Sequence, residues 1–257
     1  RDKKYEYWTK TTKEGNYFKK LRRKIGETKT ECYFDGDIES KGKKFFSTGD
    51  LAVSYNDELL AFSVDDKGGE YFTIFIRRIS DNKIIEKIDS TAGGVVWAYD
   101  DKSFFYRKHD SQKRPRQIFQ HKLGTSSKED KLIFNEKDER FTCSIDTTSC
   151  EQFYLIETGE HTTSEVYYLK KDEEEFKPKL FFKREEGILY SIDSFDGYWY
   201  MHTNKDAEDF KISRCEHKKI NEWKDFVPPK NGILIGGLTF LKEWILRTEV
   251  SDALAKV

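Results

Sequence analysis

One pattern of apolar and polar positions recurs along the chain: an apolar stretch, a short polar turn, then a second apolar stretch. The five copies are LAVSYNDELLAFSV from residue 51, GVVWAYDDKSFFYRK from residue 94, FTCSIDTTSCEQFYLIE from residue 141, ILYSIDSFDGYWYMHT from residue 188 and ILIGGLTFLKEWILRT from residue 233. Their turns centre near Asp57, Asp101, Ser149, Asp196 and Leu241, so the steps are 44, 48, 47 and 45 residues. The pattern predicts a repeated pair of strands, because no sustained helical periodicity accompanies it.

A fixed period of this length, with strands in each copy, is typical of a β-propeller, whose blades are four-stranded sheets. In the copy from residue 51 we predict strands at 51–55, 59–64, 71–79 and 84–88. Segments 5–11, 17–25 and 30–34 fit strands two to four of an earlier blade, and two strands remain after residue 233. The sequence therefore predicts an all-β propeller with four whole blades and parts of two others, an incomplete ring.

Charge and hydropathy narrow the range of partners. Lys and Arg number 46 and Asp and Glu number 47, so the chain carries no overall basic field and we expect no nucleic-acid partner. No stretch approaches the roughly 20 apolar residues needed to cross a bilayer, so we expect no membrane partner. The N-terminus has neither a signal-peptide core nor an initiator Met, from which we expect an internal piece of a longer protein.

The four cysteines are Cys32, Cys143, Cys150 and Cys215, and none forms a C-x-x-C pair. Cys143 and Cys150 flank one turn, which leaves a disulfide open as an alternative, but reduced structural cysteines are the favoured interpretation. The chain also lacks an N-x-S/T glycosylation sequence. Together these features predict a cytoplasmic protein.

Four stretches carry a closer resemblance than the repeat alone. They are GGVVWAYDDKSFFYRKHD at 93–110, LGT at 123–125 followed by DKLIFNEKD at 130–138, TTSEVYYL at 162–169, and VPPKNGILIGGLTFLKEWIL at 227–246. In order and spacing the chain resembles the N-terminal propeller of the oligopeptidase B group in the prolyl oligopeptidase family of serine peptidases. The resemblance extends over nearly the whole chain.

The resemblance implies a two-domain enzyme in which a seven-bladed propeller covers the mouth of an α/β-hydrolase domain. Such an enzyme hydrolyses short peptides after Arg or Lys and needs no cofactor. On this view residues 1–257 are a partial N-terminal propeller domain, and the catalytic α/β-hydrolase domain is absent from the chain. The expected partners are short peptide substrates and that hydrolase domain, and the fragment alone is expected to be inactive.

A search of the residues for chemistry agrees with that expectation. There is no G-x-S-x-G nucleophile elbow and no H-E-x-x-H motif, so we predict no catalytic, cofactor-binding or metal-binding residues in this chain. The scattered histidines are interpreted as structural, and His161 as part of a turn. Gly236 and Gly237 lie within a strand, where a bulge or a close backbone approach explains glycine.

Two charged features are candidates for function. Arg107, Lys108, His109, Lys113, Arg114 and Arg116, with Tyr106 and Phe119 nearby, form a basic group that we interpret as a solvated hairpin loop rather than a nucleic-acid site. Glu70, with Arg77 and Arg78, lies at and along the third strand of the first whole blade. Because charged groups on the propeller rim pair with the hydrolase domain in the family, these three are predicted interdomain contacts; an exposed strand pair is the alternative.

The functional prediction is a substrate-gating propeller domain of a serine oligopeptidase. The alternative is a non-catalytic propeller that presents one face to a protein partner, although the G-H…W-D signature of WD propellers is missing. A propeller enzyme with its site in the central channel would need convergent carboxylates or a metal at the inner strands, and the sequence shows no such repeating set.

Overall fold

The regular structure of the chain is almost entirely antiparallel β-sheet, as a computed structural model of residues 4–257 shows. Within these residues 22 strands form six sheets, four of them with four strands and two with three. One four-residue α-helix and two short 3₁₀ turns are the helical elements of the same range. The all-β prediction is confirmed. By their internal contacts the residues group into two compact units, one ending at residue 113 but including 119–132, the other made of 114–118 and 133–257.

The first two sheets belong to the first unit. Their strands are β1 (Tyr5–Lys10), β2 (Lys19–Lys24), β3 (Thr30–Asp35), β4 (Ser47–Val53), β5 (Leu59–Asp65), β6 (Phe72–Arg78) and β7 (Lys83–Thr91), with helix α1 (Gly36–Glu39) between β3 and β4. Each sheet is a meander, because strands that follow one another in the chain are hydrogen-bonded neighbours, in the orders β1-β2-β3 and β4-β5-β6-β7. This is the connectivity of propeller blades.

The remaining sheets repeat the same order of strands. The third contains β8 (Val96–Trp97), β9 (Ser103–His109), β10 (Pro115–Lys122) and β11 (Lys131–Asn135); the fourth β12 (Thr142–Thr147), β13 (Phe153–Gly159), β14 (Ser164–Lys170) and β15 (Lys179–Leu180); the fifth β16 (Tyr190–Phe195), β17 (Tyr198–Thr203), β18 (Lys211–Glu216) and β19 (Lys224–Val227); the sixth β20 (Leu234–Phe240), β21 (Ile245–Ser251) and β22 (Leu254–Lys256).

The turn between the first two strands of a sheet has a residue in the left-handed backbone region in sheets two to five. These residues are Asp57 (φ 65°), Asp101 (φ 54°), Glu151 (φ 55°) and Asp196 (φ 47°). Asp tolerates this region better than bulky residues do, because its short side chain hydrogen-bonds to the local backbone. The predicted turns at Asp57, Asp101, Ser149 and Asp196 are therefore confirmed; in the fourth sheet the left-handed residue is Glu151, two residues after Ser149.

Hydrogen bonds join the turn of one sheet to the next sheet at the repeat distance. In the first unit the Tyr55 amide donates to Asp101 Oδ1 at 2.5 Å, across 46 residues of sequence. In the second unit the Ser149 amide and hydroxyl donate to the two carboxylate oxygens of Asp193 at 2.8 and 2.6 Å, across 44 residues. The sequence period thus corresponds to a repeated contact between neighbouring sheets.

Aromatic side chains fill the space between sheets in each unit. In the first unit Trp97 and Phe104 are buried, and Trp97 Nε1 donates to the carbonyl of Ala52 on the preceding sheet at 2.9 Å. In the second unit the rings of Phe153 and Trp199 pack with centroids 4.4 Å apart. The indole donor of Trp97 has a partner, as a buried polar group requires.

Strand β22 and helix α1 were not predicted from the sequence. The sixth sheet has three strands where two were predicted after residue 233, because β22 pairs with β21 through only three residue pairs, too few to show alternation in the sequence. Helix α1 was not predicted, since four residues are too short for a 3.6-residue period. It is capped by the Asp35 carboxylate, which accepts from the amides of Asp37 and Ile38.

The Gly236–Gly237 pair lies at a bulge in β20, as predicted. The register between β20 and β21 shifts between Ile235 and Leu238. A Cβ added to Gly236 would lie 2.8 Å from the carbonyl oxygen of Thr248 on β21, whereas one added to Gly237 would meet nothing within 4 Å. Close backbone approach therefore requires glycine at the first position only.

Candidate functional site

The predicted interdomain residues lie at two ends of one sheet. Glu70 precedes β6 and is exposed; its backbone is left-handed (φ 60°), and its amide donates to Asp65 Oδ2 at 2.8 Å. Arg77 and Arg78 lie at the other end of β6. The structure therefore does not bring the three charges together.

Arg77 and Arg78 differ in what they contact. The Arg77 side chain is 6% exposed, and its Nη2 lies 2.7 Å from Glu39 Oε1, with the guanidinium over the ring of Phe62. The Arg78 side chain is 47% exposed and pairs with Asp81 at 2.8 Å. Of the two arginines, Arg78 presents the accessible charge.

The basic group around residue 107 is less solvated than interpreted. Tyr106 and Arg116 are buried, and the Lys108 ammonium lies over the ring of Phe119, 4.4 Å from its centroid. The interpretation of the whole group as a solvated loop is wrong for these two side chains, because the first four residues of β9 are all buried and β10 turns alternate residues inward. In the sequence, the two-residue alternation along β10 is the signal that could have identified Arg116 as buried.

His121 belongs to a buried polar network in the first unit. Its Nδ1 lies 2.7 Å from Asp130 Oδ1 and its Nε2 lies 2.9 Å from Glu86 Oε1, while the Tyr106 hydroxyl donates to Asp130 Oδ2 at 2.5 Å. His121 and Asp130 side chains are each 1% exposed. The arrangement holds a histidine between two carboxylates but offers no nucleophile and no access for substrate, so it serves to join strands.

Ser194 and His217 form a serine–histidine contact that the sequence did not predict. Ser194 Oγ lies 2.7 Å from His217 Nε2 and accepts a hydrogen bond from the Cys150 thiol at 3.2 Å. Ser194 is fully buried, and burial lowers the pKa of His217. No carboxylate is hydrogen-bonded to this histidine within the described residues. Without an orienting acid or substrate access the pair lacks the requirements of a catalytic triad.

The second unit contains a buried ionic cluster centred on Arg184. Its Nη2 lies 2.7 Å from Glu136 Oε2 and 2.8 Å from Glu165 Oε2, and Thr158 Oγ1 donates to Glu136 at 2.5 Å. The guanidinium lies over the ring of Phe141, 4.1 Å from the centroid. Sequence reasoning missed this cluster, since Arg184 and Glu136 are 48 residues apart and no local pattern connects them.

Residues 4–257 offer no set of ligands for a metal ion, and their cysteines are not paired. No group of three or more His, Cys, Asp or Glu side chains in this range is arranged to hold a metal ion. All four cysteines are free thiols, which agrees with the favoured interpretation, and burial raises the pKa of Cys215 to about 12. A thiol with such a pKa is not a nucleophile at neutral pH. No helix in the same range is long and apolar enough to cross a membrane.

An apolar cavity of about 230 Å³ opens in the second unit, between the end of the fourth sheet and the start of the fifth. Phe182, Ile188, Tyr190, Met201 and Trp223 form its walls, and charged side chains border it. It was not predicted, because its walls come from four separate segments of the sequence.

The chain is similar in sequence to a known protein family and to characterised peptidases. Residues 1–257 match the family described as prolyl oligopeptidase, N-terminal beta-propeller domain. Protease 2 of Moraxella lacunata is 28% identical over 193 residues, which cover 69% of this chain and 28% of that protein. Dipeptidyl aminopeptidase BI of Pseudoxanthomonas mexicana is 25% identical over 232 residues, covering 87% of this chain and 32% of that protein.

Solved structures give the same fold. Oligopeptidase B from Leishmania major superposes with a TM-score of 0.90 at 22% identity, over 98% of this chain and 37% of that one. Oligopeptidase B from Trypanosoma brucei, with covalently bound antipain in a closed form, superposes with a TM-score of 0.89 at 23% identity over the same shares. The chain spans about a third of the length of the relatives it matches. The propeller prediction is thereby confirmed.

Proposed function

Because the chain belongs to the prolyl oligopeptidase family, whose N-terminal β-propeller domain it matches throughout, we propose that it gates substrate access in a serine oligopeptidase. The observation that carries the proposal is the family match over residues 1–257, together with the lack of any catalytic constellation in the described part of the chain. A domain of this family without its own chemistry can act on the reaction only by controlling what reaches the catalyst.

The chemistry itself is assigned to an α/β-hydrolase domain of the full-length protein. There a serine attacks the scissile carbonyl, a histidine transfers its proton, and an aspartate orients the histidine. The propeller admits short peptides and excludes folded proteins by size, and its movement against the hydrolase domain opens and closes the route.

Cleavage after Arg or Lys is the proposed specificity. In the second unit Asp146, Glu157 and Asp193 lie close enough to interact: the protein that surrounds the solvent-accessible Glu157 carboxylate raises its pKa, and repulsion from Asp146 and Asp193 raises it further. A group of carboxylates of this kind attracts a cationic peptide and repels an acidic one. The acidic group supports selection of basic peptides, while the specificity pocket belongs to the hydrolase domain.

Glu70, Arg77 and Arg78 are the proposed contacts with the hydrolase domain. Glu70 and Arg78 are exposed, which favours them as contacts. The Arg77 guanidinium already pairs with Glu39 and would have to bind the hydrolase domain as well. Short peptides and the hydrolase domain are the proposed partners, with no nucleic acid and no membrane, and the proposed location is the cytoplasm.

The test compares the full-length protein with the isolated chain on two fluorogenic peptides that carry Arg or Pro at the cleavage position. We expect the full-length protein to hydrolyse the Arg peptide faster than the Pro peptide and the isolated chain to hydrolyse neither. A folded full-length protein that cleaves neither peptide would favour the alternative, a non-catalytic scaffold for a protein partner. Faster cleavage after Pro would contradict the proposed specificity alone.

The interdomain contact is tested in the same assay with Glu70→Ala. We expect kcat/KM of the full-length protein to fall by up to about fivefold, the effect of one partly exposed ion pair. Glu174→Ala is the matched control, since Glu174 is an exposed glutamate with no described partner, and it should leave kcat/KM unchanged. Equal effects of the two substitutions would contradict the assignment of Glu70.

A further inference from the structure

The cavity in the second unit has the dimensions of a small-molecule site. Its volume of about 230 Å³ exceeds the roughly 150 Å³ of an engineered apolar cavity that binds benzene. Its walls are the rings of Phe182, Tyr190 and Trp223 with the side chains of Ile188 and Met201. Mostly apolar walls with a few polar groups are typical of ligand sites.

Most polar groups of the walls already have partners. The Tyr190 hydroxyl donates to the Phe182 carbonyl at 2.7 Å and accepts from the Val166 amide at 2.9 Å. Thr203 Oγ1 donates to the Leu189 carbonyl at 2.8 Å. These groups are not available to a ligand.

Two groups remain without a partner. The Nε1 atom of Trp223 is shielded from solvent and has no hydrogen-bond acceptor. A water-sized group cannot reach this atom, so a ligand in the cavity cannot reach it either and the indole N–H offers no binding contact. At the border Lys205 pairs with Glu185, which leaves the exposed Lys183 as the uncompensated charge of the cavity lining.

We propose that this cavity binds a compact aromatic carboxylate. The ring fills the apolar space, and the carboxylate places a negative charge opposite Lys183. A neutral hydrocarbon would leave the Lys183 charge uncompensated, and a cation would be repelled by it. The site is separate from the proposed gating role and needs no catalytic group.

The experiment is calorimetric titration of the full-length protein with 3-phenylpropionate, and with its neutral analogue 3-phenylpropanamide. We expect one molecule of the acid to bind with a dissociation constant on the order of 10⁻⁴ M, the range for a ligand of about ten heavy atoms. The amide should bind several-fold more weakly. An acid that does not bind, or an amide that binds equally well, overturns the proposal.

Three variants locate the site. Lys183→Gln should weaken binding of the acid roughly three- to fivefold, whereas Lys218→Gln, the same change at an exposed lysine outside the cavity, should have no effect. Met201→Trp fills the space and should abolish binding while the circular dichroism spectrum is retained. Binding that survives this change in a folded protein places the ligand elsewhere and overturns the proposal.

Discussion

At the scale of single residues, the polar groups inside this protein are held by partners that lie far apart in the sequence. Arg184 pairs with two carboxylates, those of Glu136 and Glu165, whose side chains are 5% and 7% exposed. Charges buried to this degree are tolerated only when paired and hydrogen-bonded. The stability of the second unit therefore depends on one guanidinium more than on the many exposed ion pairs.

Arg184→Met should lower the free energy of unfolding by about 3 kcal/mol, because it leaves two buried carboxylates without a counter-charge. Arg140→Met is the control, since Arg140 is 58% exposed and pairs with Asp138 at the surface; its effect should stay within about 1 kcal/mol. Urea denaturation followed by far-ultraviolet circular dichroism measures both. Equal losses would show that the Arg184 cluster contributes no more than a surface pair.

The same cluster predicts a dependence of stability on pH. Burial raises the pKa of Glu136, but hydrogen bonds from Thr158 and Arg184 outweigh it and hold this pKa below the ordinary value of 4.5. The folded state therefore binds this proton less readily than the unfolded state. The stabilisation is fully present above pH 4.5 and is lost as the pH falls through the lower folded value.

Urea denaturation between pH 7 and pH 3 tests this for the wild type and for Glu136→Gln. The free energy of unfolding of the wild type should fall more steeply below pH 4.5 than that of the variant, so that the two approach each other in acid. Parallel curves would show that Glu136 does not titrate differently in the folded protein.

At the scale of elements, the local sequence predicts strands and turns well where burial alternates. The predicted strand 59–64 corresponds to β5 (Leu59–Asp65), one of the most buried strands. Prediction fails where an element is too short for a period, as in α1 and β22, and where backbone conformation ends a strand. The repeat from residue 94 opens on an apolar stretch, but strand β8 covers only Val96–Trp97, because Gly94 has φ 77°.

The contacts of the candidate-site residues could not be predicted from the local sequence, for a different reason. The sequence identified Glu70, Arg77 and Arg78 by charge and position, but their partners depend on which segments pack together. Arg77 meets Glu39 across 38 residues, and His121 meets Glu86 across 35. Such pairs follow from the tertiary fold, which the repeat predicts only as far as the order of strands.

The bulge in β20 gives an element-scale prediction with an adjacent control. Gly236→Ala should destabilise the sixth sheet by about 1–3 kcal/mol, because the new methyl group would press on the Thr248 carbonyl. Gly237→Ala should change stability by no more than about 0.5 kcal/mol, since it meets open space. Hydrogen exchange of the β20 and β21 amides resolves the difference, and faster exchange in both variants would contradict the steric argument.

At the scale of the whole molecule, apolar exposure is concentrated in the sixth sheet. Trp244 is 69% exposed and Leu254 63%, and most of β21 is exposed. Contiguous apolar surface of this kind favours association with another surface. The isolated chain should therefore bind the dye 8-anilinonaphthalene-1-sulfonate and self-associate as its concentration rises.

Trp244→Glu should reduce both dye fluorescence and self-association of the isolated chain, as measured by sedimentation velocity. Ile38→Glu is the control, because Ile38 is 68% exposed but stands alone on α1. If the two substitutions act equally, exposure of single side chains rather than a continuous patch governs association.

The hydrogen bonds between turns of neighbouring sheets also bear on how such a chain can evolve. Asp101 accepts from the backbone of Tyr55 in the preceding repeat, and Asp193 accepts from Ser149 in the same manner. In each of these two pairs the earlier repeat carries the donor and the later repeat the acceptor. A tandem duplication of such a pair brings both halves of a junction with it, so the gene can lengthen without inventing a new interface. A deletion that removes part of a repeat leaves a carboxylate without its hydrogen-bond donor, and selection acts against such a deletion.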